Sequence, residues 1–269
     1  MNIYVNGKNR TIKCCSLCSL RKELFSEVSN IIMIYNGFQT ENDITLNDGD
    51  SVSFIEKGIM PSEDELEALM MARHTPFVHE KVKRARVAIA GLGGLGSNVA
   101  VALARTGIGH LHLVDFDIVE PSNLNRQAYK IRHLGMKKTE ALKSEIEDIN
   151  PYIKVSIDNI KVTEENAVFL FENDSIVCEA FDRAEYKAML INTLLEKQSE
   201  IKLVSASGLA GYESSNFINT RKVFNNFYLC GDGKSNAEPG RGLMAPRVTI
   251  CAGHQANMIL RLILGIEEV

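Results

Sequence analysis

Residues 87–127 read VAIAGLGGLGSNVAVALARTGIGHLHLVDFDIVEPSNLNRQ, and this stretch decides the fold. Val87-Ala88-Ile89-Ala90 is a short, wholly apolar run, as a strand buried on both faces requires. Gly91, Leu92, Gly93, Gly94, Leu95 and Gly96 come next without a spacer, and then a run rich in Ala, Val and Leu that ends near Thr106-Gly107. The pattern predicts strand, tight turn, helix. Gly91 permits the turn, Gly93 lets backbone approach a phosphate, and Gly96 lets the helix pack close to the strand. Outward-pointing amides and the helix dipole favour an anion at that point, and Gly94 is at the helix start. The next strand, Leu111-His112-Leu113-Val114, ends in Asp115. That is about 20 residues past the glycines, where a carboxylate takes ribose hydroxyls. The glycines by themselves do not separate ATP from NAD or FAD.

The segment after Asp115 is more specific: Phe116-Asp117-Ile118-Val119-Glu120-Pro121-Ser122-Asn123-Leu124-Asn125-Arg126-Gln127. D-x-D-x-V-x-x-S-N-L-x-R-Q directly after a GxGxxG unit resembles the ThiF/MoeB family. This is the bacterial branch of the ubiquitin-activating enzyme superfamily, which adenylates the C-terminal glycine of a ubiquitin-like sulfur carrier. The resemblance runs from about residue 62 to the C-terminus. It is nearest to the short ThiF proteins of thiamine thiazole synthesis, through GLMAPRV at 242–248 and the helix bearing His254-Gln255-Ala256-Asn257. It implies that Asp115 binds the ATP ribose and that Asn123 and Arg126 reach the phosphates. It implies a phosphate-binding lysine at Lys138, with Lys137 as the fallback, and a magnesium-binding carboxylate at Asp182. The family often has Asp where this chain has Glu179. Asp117 either binds the ligand or orients its turn. Asp182 also stands where it can N-cap the next helix.

The chemistry agrees with these residue types. A carboxylate attacking the α-phosphorus of ATP is already ionised at neutral pH, its pKa being about 3.5, so no general base is needed. The task is to bring one anion onto another and to stabilise departing pyrophosphate. Fixed cations and amide dipoles do this. One magnesium-binding carboxylate suffices, because phosphate oxygens and waters complete the shell.

The 269 residues are 45% hydrophobic and 24% charged, with a formal net charge of −4. That balance argues against nucleic acid as partner. No long uncharged apolar run suggests a membrane span. Nor does the N-terminus have a signal-peptide pattern, so a cytoplasmic setting is expected. The six cysteines are therefore expected to be thiols. Cys15 and Cys18 form a single CxxC. The paired CxxC motifs of many relatives' C-terminal halves are missing, so no structural zinc is expected.

Residues 1–57 read as a separate unit. Asn6-Gly7 marks a hairpin between Ile3-Tyr4-Val5 and Thr11-Ile12-Lys13. Leu17, Leu20, Leu24 and Val28 fit a short helix; Ile31–Tyr35 and Val52–Ile55 read as strands. This order, with Leu46-Asn47-Asp48-Gly49-Asp50 before the last strand, resembles the β-grasp fold of ThiS-like carriers. A working carrier ends in Gly-Gly, whereas this strand continues into Glu56-Lys57-Gly58-Ile59-Met60-Pro61. The unit thus reads as a non-reactive ubiquitin-like module that either stabilises and recruits or occupies the carrier site and regulates it. Residues 58–80 read as a helical linker, with Ser62 as N-cap and an end at Arg73-His74-Thr75-Pro76. Larger relatives have an arginine near here that reaches the partner subunit's ATP; Arg73 is the nearest candidate.

Residues 81–269 complete the adenylating domain. Helices at 137–149, 163–172 and 184–197 alternate with strands at 153–157, 174–178 and 202–206, which predicts a doubly wound, mostly parallel α/β sheet. Residues 230–242 read as a long mobile loop, and Cys230 at its base is the candidate for a covalent link to the carrier. Cys178 and Cys251 read as core. His254 and Gln255 face either the core or a dimer contact.

The function expected is Mg-ATP-dependent adenylation of a separate ThiS-like carrier by a symmetric dimer. The rivals are a non-catalytic carrier-binding scaffold and an NAD-dependent oxidoreductase, the latter lacking an acid/base pair for hydride transfer.

Overall fold

A computed structural model of the chain describes residues 1–26, 28, 30–75 and 78–269, without the side chains of Glu63 and Asp64. Pro76, the expected helix terminator, lies outside the described residues. The chain forms two compact units, Met1–Glu80 and Lys81–Val269.

In the first unit, β1 (Asn2–Val5) and β2 (Lys8–Thr11) form an antiparallel hairpin. Asn6 and Gly7 both have positive φ, as a two-residue primed turn demands. Helix α1 (Leu17–Leu24) is N-capped by Ser16 and buries Leu17 and Leu20. It stops short of Val28, because the Phe25 amide already closes the last turn on Arg21 O. The strands β3 (Ile31–Tyr35), β4 (Phe38–Thr40) and β5 (Ser51–Glu56) complete a sheet of order β2-β1-β5-β3-β4. The short edge strand β4 escaped the sequence reading; Asn36-Gly37 turns the chain into it. Ile3, Leu17, Leu20, Val52 and Phe54 form the core. Helix α2 (Glu63–Met70) comes directly after Ser62. It packs into this unit: the Asn6 side chain donates to Glu65 Oε1 at 3.3 Å, and a Cβ on Gly7 would strike Ala68. Helix α3 (Val78–Arg84) leads into the second unit.

That unit opens with β6 (Arg86–Ala90), helix α4 (Gly94–Thr106) and β7 (His110–Val114). It continues with α5 (Lys138–Ile149), β8 (Lys154–Asp158), α6 (Glu164–Leu170), β9 (Ile176–Glu179), α7 (Ala184–Lys197) and β10 (Lys202–Ala206). Then come β11 (Asn219–Phe224), β12 (Phe227–Gly231) and α8 (Ala245–Ile263). The sheet order is β11-β12-β10-β9-β6-β7-β8, all neighbours parallel except β11 with β12. From β6 the chain winds outward through β7 and β8, then returns to place β9 on the other side. The carboxyl ends of β6 and β9 therefore flank a crevice, the place where such sheets hold ligands.

The central strands β6 and β9 are buried along almost their whole length because helices cover both faces. One face packs Ala88, Val114, Val177 and Leu203 under Phe171, Leu190 and Leu194. Each such large aliphatic or aromatic side chain contributes about 1.5–3 kcal/mol when fully buried. No helix among the described residues is long and apolar enough to cross a membrane.

Candidate active site

The crevice at the carboxyl edge of this sheet is a cleft of about 900 Å³. Its floor is the glycine turn. Gly91 has φ +91°, and its amide donates to Val114 O at 2.9 Å. A Cβ on Gly96 would fall inside the carbonyl oxygen of Gly91, so α4 reaches the strand only as glycine. A Cβ on Gly93 would meet open space, which leaves its backbone approachable from the cleft. Gly91, Gly93 and Gly94 line the cleft, with the first turn of α4 behind them.

Asp115 braces this turn from the end of β7. Its Oδ2 accepts the Leu92 amide at 2.6 Å and its Oδ1 the Asp117 amide at 2.8 Å. From below, the Tyr129 hydroxyl donates to Leu92 O at 2.8 Å. Burial, with Asp115 and Asp117 nearby, holds that phenol well above its ordinary pKa, so it stays a neutral donor.

The second turn is locked onto α4. Ser97 Oγ accepts the Ala128 amide at 3.0 Å, and the Asn98 side chain donates to Gly94 O and Arg126 O. A 3-10 turn at Pro121–Asn123 is closed by a reciprocal cap between Glu120 and Asn123. Asn123 therefore orients the turn and lines the cleft at once. Arg126 lays its stem beside Gly94 and donates Nη1 to Ser122 O and Asn125 Oδ1. Its Nε is buried without a partner.

Lys138 begins α5 and is buried against the cleft, with Nζ 3.0 Å from Asp117 Oδ2. Lys137 faces outward and lies 4.0 Å from Glu140, outside the cleft lining. Asp182 stands exposed on the cleft rim just before α7. The N-cap of that helix is Arg183, one residue later than expected, and no side-chain cap bond is made. Glu179 is wholly buried and fully engaged: it accepts from the Phe181 amide, the Ser205 hydroxyl and Lys187 Nζ. It ties β9, β10 and α7 together beneath the cleft.

Cys230 departs from its expected place at the base of a loop. It sits on β12, fully buried, and does not line the cleft. Burial pushes its thiol up to about 11, so it is protonated and lacks the thiolate that nucleophilic attack requires. Cys178 and Cys251 are also buried, burial raising the latter to about 12. Gln255 is a core residue, donating to Glu179 O and Val204 O, while His254 meets Thr220 Oγ1 at 3.0 Å. Arg73 is exposed in the first unit.

Residues 230–242 also depart from the expectation of a mobile loop. Asp232 accepts from the Lys234 and Ser235 amides and pairs with Arg247, which is 3% exposed and also donates to Glu213 O and Ser214 O. A buried ion pair therefore ties the segment down. Among the cleft residues, sequence reasoning passed over Lys161, Tyr186 and Lys187 from the β8–α6 connection and α7. No local motif marks them.

A doubly wound sheet with a glycine turn at its switch point is a Rossmann-like nucleotide-binding fold. The ThiF family model matches residues 67–269, and the model for ThiS-like ubiquitin matches residues 1–58. The chain belongs to the ThiF family, with an N-terminal ThiS-like ubiquitin domain. An adenylyltransferase and sulfurtransferase MOCS3 of Aedes aegypti is 31% identical over 198 residues, 72% of this chain and 42% of that protein. A molybdopterin-synthase adenylyltransferase of Haemophilus influenzae is 37% identical over 132 residues, 49% of this chain and 53% of that one. The chain spans about half the length of such curated relatives. Among solved structures, the Escherichia coli tRNA N6-threonylcarbamoyladenosine dehydratase in complex with ATP aligns with TM-score 0.67 at 23% identity. The match covers 77% of this chain and 98% of that chain, a likeness of fold.

Proposed function

We propose that this chain adenylates the C-terminal glycine of a separate ThiS-like sulfur carrier, using Mg-ATP. One observation carries the reading. Gly91, Gly93, Asp115, Asn123, Arg126 and Lys138 converge on one cleft from separate turns. Of these, the glycine backbone, Asn123, Arg126 and Lys138 suit phosphate, and the Asp115 carboxylate suits ribose hydroxyls. In the proposed step a carboxylate oxygen of the carrier tail attacks the α-phosphorus, the bond to the bridging oxygen breaks, and pyrophosphate leaves. The nucleophile is already ionised, so the site's work is positioning and charge stabilisation. Arg126 and Lys138 meet the negative charge, Asp115 holds the ribose, and the amides at the start of α4 face the phosphates.

Asp182 fits a magnesium ion. Its carboxylate is exposed on the cleft rim and makes no hydrogen bond or ion pair among the described residues. One carboxylate with phosphate oxygens and waters makes an ordinary magnesium shell. When bound, the ion neutralises the departing pyrophosphate.

The relatives named above are an adenylyltransferase and sulfurtransferase, a molybdopterin-synthase adenylyltransferase and a tRNA dehydratase. The resemblance of GLMAPRV and the α8 sequence to short ThiF proteins favours the thiazole branch of thiamine synthesis, with a cytoplasmic dimer as the working form. The N-terminal ThiS-like unit lacks Gly-Gly where β5 ends, so the substrate is a carrier supplied in trans.

ATP–pyrophosphate exchange with a panel of Gly-Gly-ending carriers tests the reading. Exchange should appear with one carrier and fall about 100-fold or more in Arg126→Ala and Lys138→Ala. Lys137→Ala should stay near wild type. Exchange absent with every carrier, in a chain that still binds them, would instead favour a scaffold.

A further inference from the structure

Behind the cleft, on the face of the sheet covered by α6, lies a charge cluster that the adenylation chemistry does not use. His112 on β7 is 2% exposed, and each of its ring nitrogens faces a carboxylate. Nδ1 is 2.7 Å from Asp174 Oδ2, and Nε2 is 2.8 Å from Asp158 Oδ2. A neutral imidazole has one N–H, so it satisfies one carboxylate and turns a lone pair toward the other. Only the imidazolium donates to both. We propose that His112 is a positioning residue: clamped as an imidazolium between Asp174 and Asp158, it fixes the end of β8 and through it one wall of the cleft, and the clamp opens when the ring loses its proton.

The connection to the cleft is short. Asp158 is the last residue of β8, and its carbonyl accepts the Asp115 amide at 3.3 Å. Ile160, Lys161 and Val162, just beyond it, line the cleft. Asp115 in turn holds the glycine turn through Leu92. The clamp therefore stands behind both the ribose carboxylate and the β8 wall.

The surroundings decide which half opens. Asp174 is buried and also accepts Arg86 Nε of β6 at 2.6 Å, so it stays paired without His112. Asp158 has a half-exposed side chain, and water can replace the imidazole there. On the same strand, His110 takes Arg86 Nη1 at Nδ1 and faces Ser156 Oγ with Nε2. Burial, with Arg86 and Lys154 beside it, pushes the pKa of His110 down. From α6, the Phe171 ring covers His112 at 5.9 Å between centroids. Burial also pulls His112 down, but hydrogen bonds and charge from Asp174 and Asp158 outweigh it and raise its pKa. The clamp is therefore complete below about pH 6.5, the ordinary histidine value, and is lost as pH rises through the raised one.

This rests on the reading of the cleft as a nucleotide site, so the test has a readout without nucleotide. Histidine-selective NMR should show both His112 nitrogens protonated at about pH 6, below the ordinary histidine value; a single neutral tautomer there overturns the proposal. The protection factor of the Asp115 amide, which donates to Asp158 O at 3.3 Å, should fall as His112 deprotonates once the base-catalysed intrinsic rate is divided out, and should be low at all pH values in His112→Gln. Asp158→Asn, whose change lies in the half-exposed partner, keeps the fold and should move the transition to lower pH. With trinitrophenyl-ATP as probe, affinity should fall about tenfold across the same transition, the loss expected for one charge-assisted hydrogen bond. An Asp115 protection factor that ignores pH and both substitutions overturns the clamp. A chain that binds no nucleotide at any pH, while that protection factor still tracks His112, overturns the adenylation reading and supports the clamp.

Discussion

Two glycine-rich segments lie in the second unit, and they are built on different principles. In Gly91–Gly96 the obstacle to a side chain is local: a Cβ on Gly96 would collide with the carbonyl of Gly91 in the same turn. In Gly231–Gly242 the obstacle is distant. A Cβ on Gly231 would strike the carbonyl of Ser207, beyond β10, and one on Gly208 would strike Asp232. The first segment has its tightest contact within the turn itself, with Ala180, Asp115 and Tyr129 bracing it from outside. The second takes its shape from another strand and from Arg247 on α8. Glycine content alone does not tell a nucleotide turn from a loop shaped by its neighbours; the location of the clash does.

Filling both clashes puts this contrast under the greatest stress. Gly96→Ala should destabilise the second unit by roughly 4 kcal/mol, since a backbone oxygen must move in an overpacked site. It should also abolish nucleotide binding, because the turn and the start of α4 shift together. Gly231→Ala carries a φ of +123° as well as its clash, so it too should destabilise. Ser207 and Gly208 line the cleft, so nucleotide affinity should fall too, but by less than in Gly96→Ala, where the glycine turn itself moves. Urea unfolding with a nucleotide-binding assay on the folded fraction checks both. Equal loss of affinity in the two variants would show that the segments act as one.

A smaller effect probes the ionic side of the contrast. Arg247→Met leaves Asp232 buried without its cation, which costs about 3 kcal/mol. Adding Asp232→Asn should recover part of that loss, and a double-mutant cycle measures the coupling. Burial works to raise the Asp232 pKa, yet hydrogen bonds from Ser235 and Lys234 and the charge of Arg247 hold it below the ordinary value. The stabilisation is thus present above pH 3.8 and lost as pH falls through the lower folded value. A cycle with no coupling would mean that the segment is held by something other than this pair.

The same distinction governs how much the sequence revealed. Asp115 was legible from its offset to the glycine turn, and Asn123, Arg126 and Lys138 from the resemblance to the ThiF/MoeB family; all four line one cleft. The alternation from β6 to β10 was legible too. Lys187 and Tyr186 were not, because they enter the cleft from α7, across the sheet's switch point. Nor were Ser97, Asn98 and Tyr129, whose roles depend on which backbone they meet. The hairpin of β11 and β12 was missed outright. β11 is an edge strand, largely exposed, and its Asn-Thr-Arg-Lys sequence carries no alternating apolar face. Its presence changes the meaning of Cys230, which moves from the base of a loop to the inside of a sheet.

Cys230→Ala gives the smallest effect and tests that last point. Replacing a buried sulfur by a methyl group should cost about 1 kcal/mol in stability. Adenylation should be unchanged, because the thiol is outside the cleft and protonated. Intact-mass measurement after incubation with ATP and a carrier should find no hydroxylamine-sensitive thioester adduct on wild type or variant. An adduct that forms on wild type and vanishes in Cys230→Ala would require β12 to release its edge when the carrier binds. The buried ion pair of Asp232 and Arg247 opposes that release, since residues 232–235 would have to give up their hydrogen bonds together. Such an adduct would therefore also predict that Arg247→Met speeds its formation, and the two measurements stand or fall as a pair.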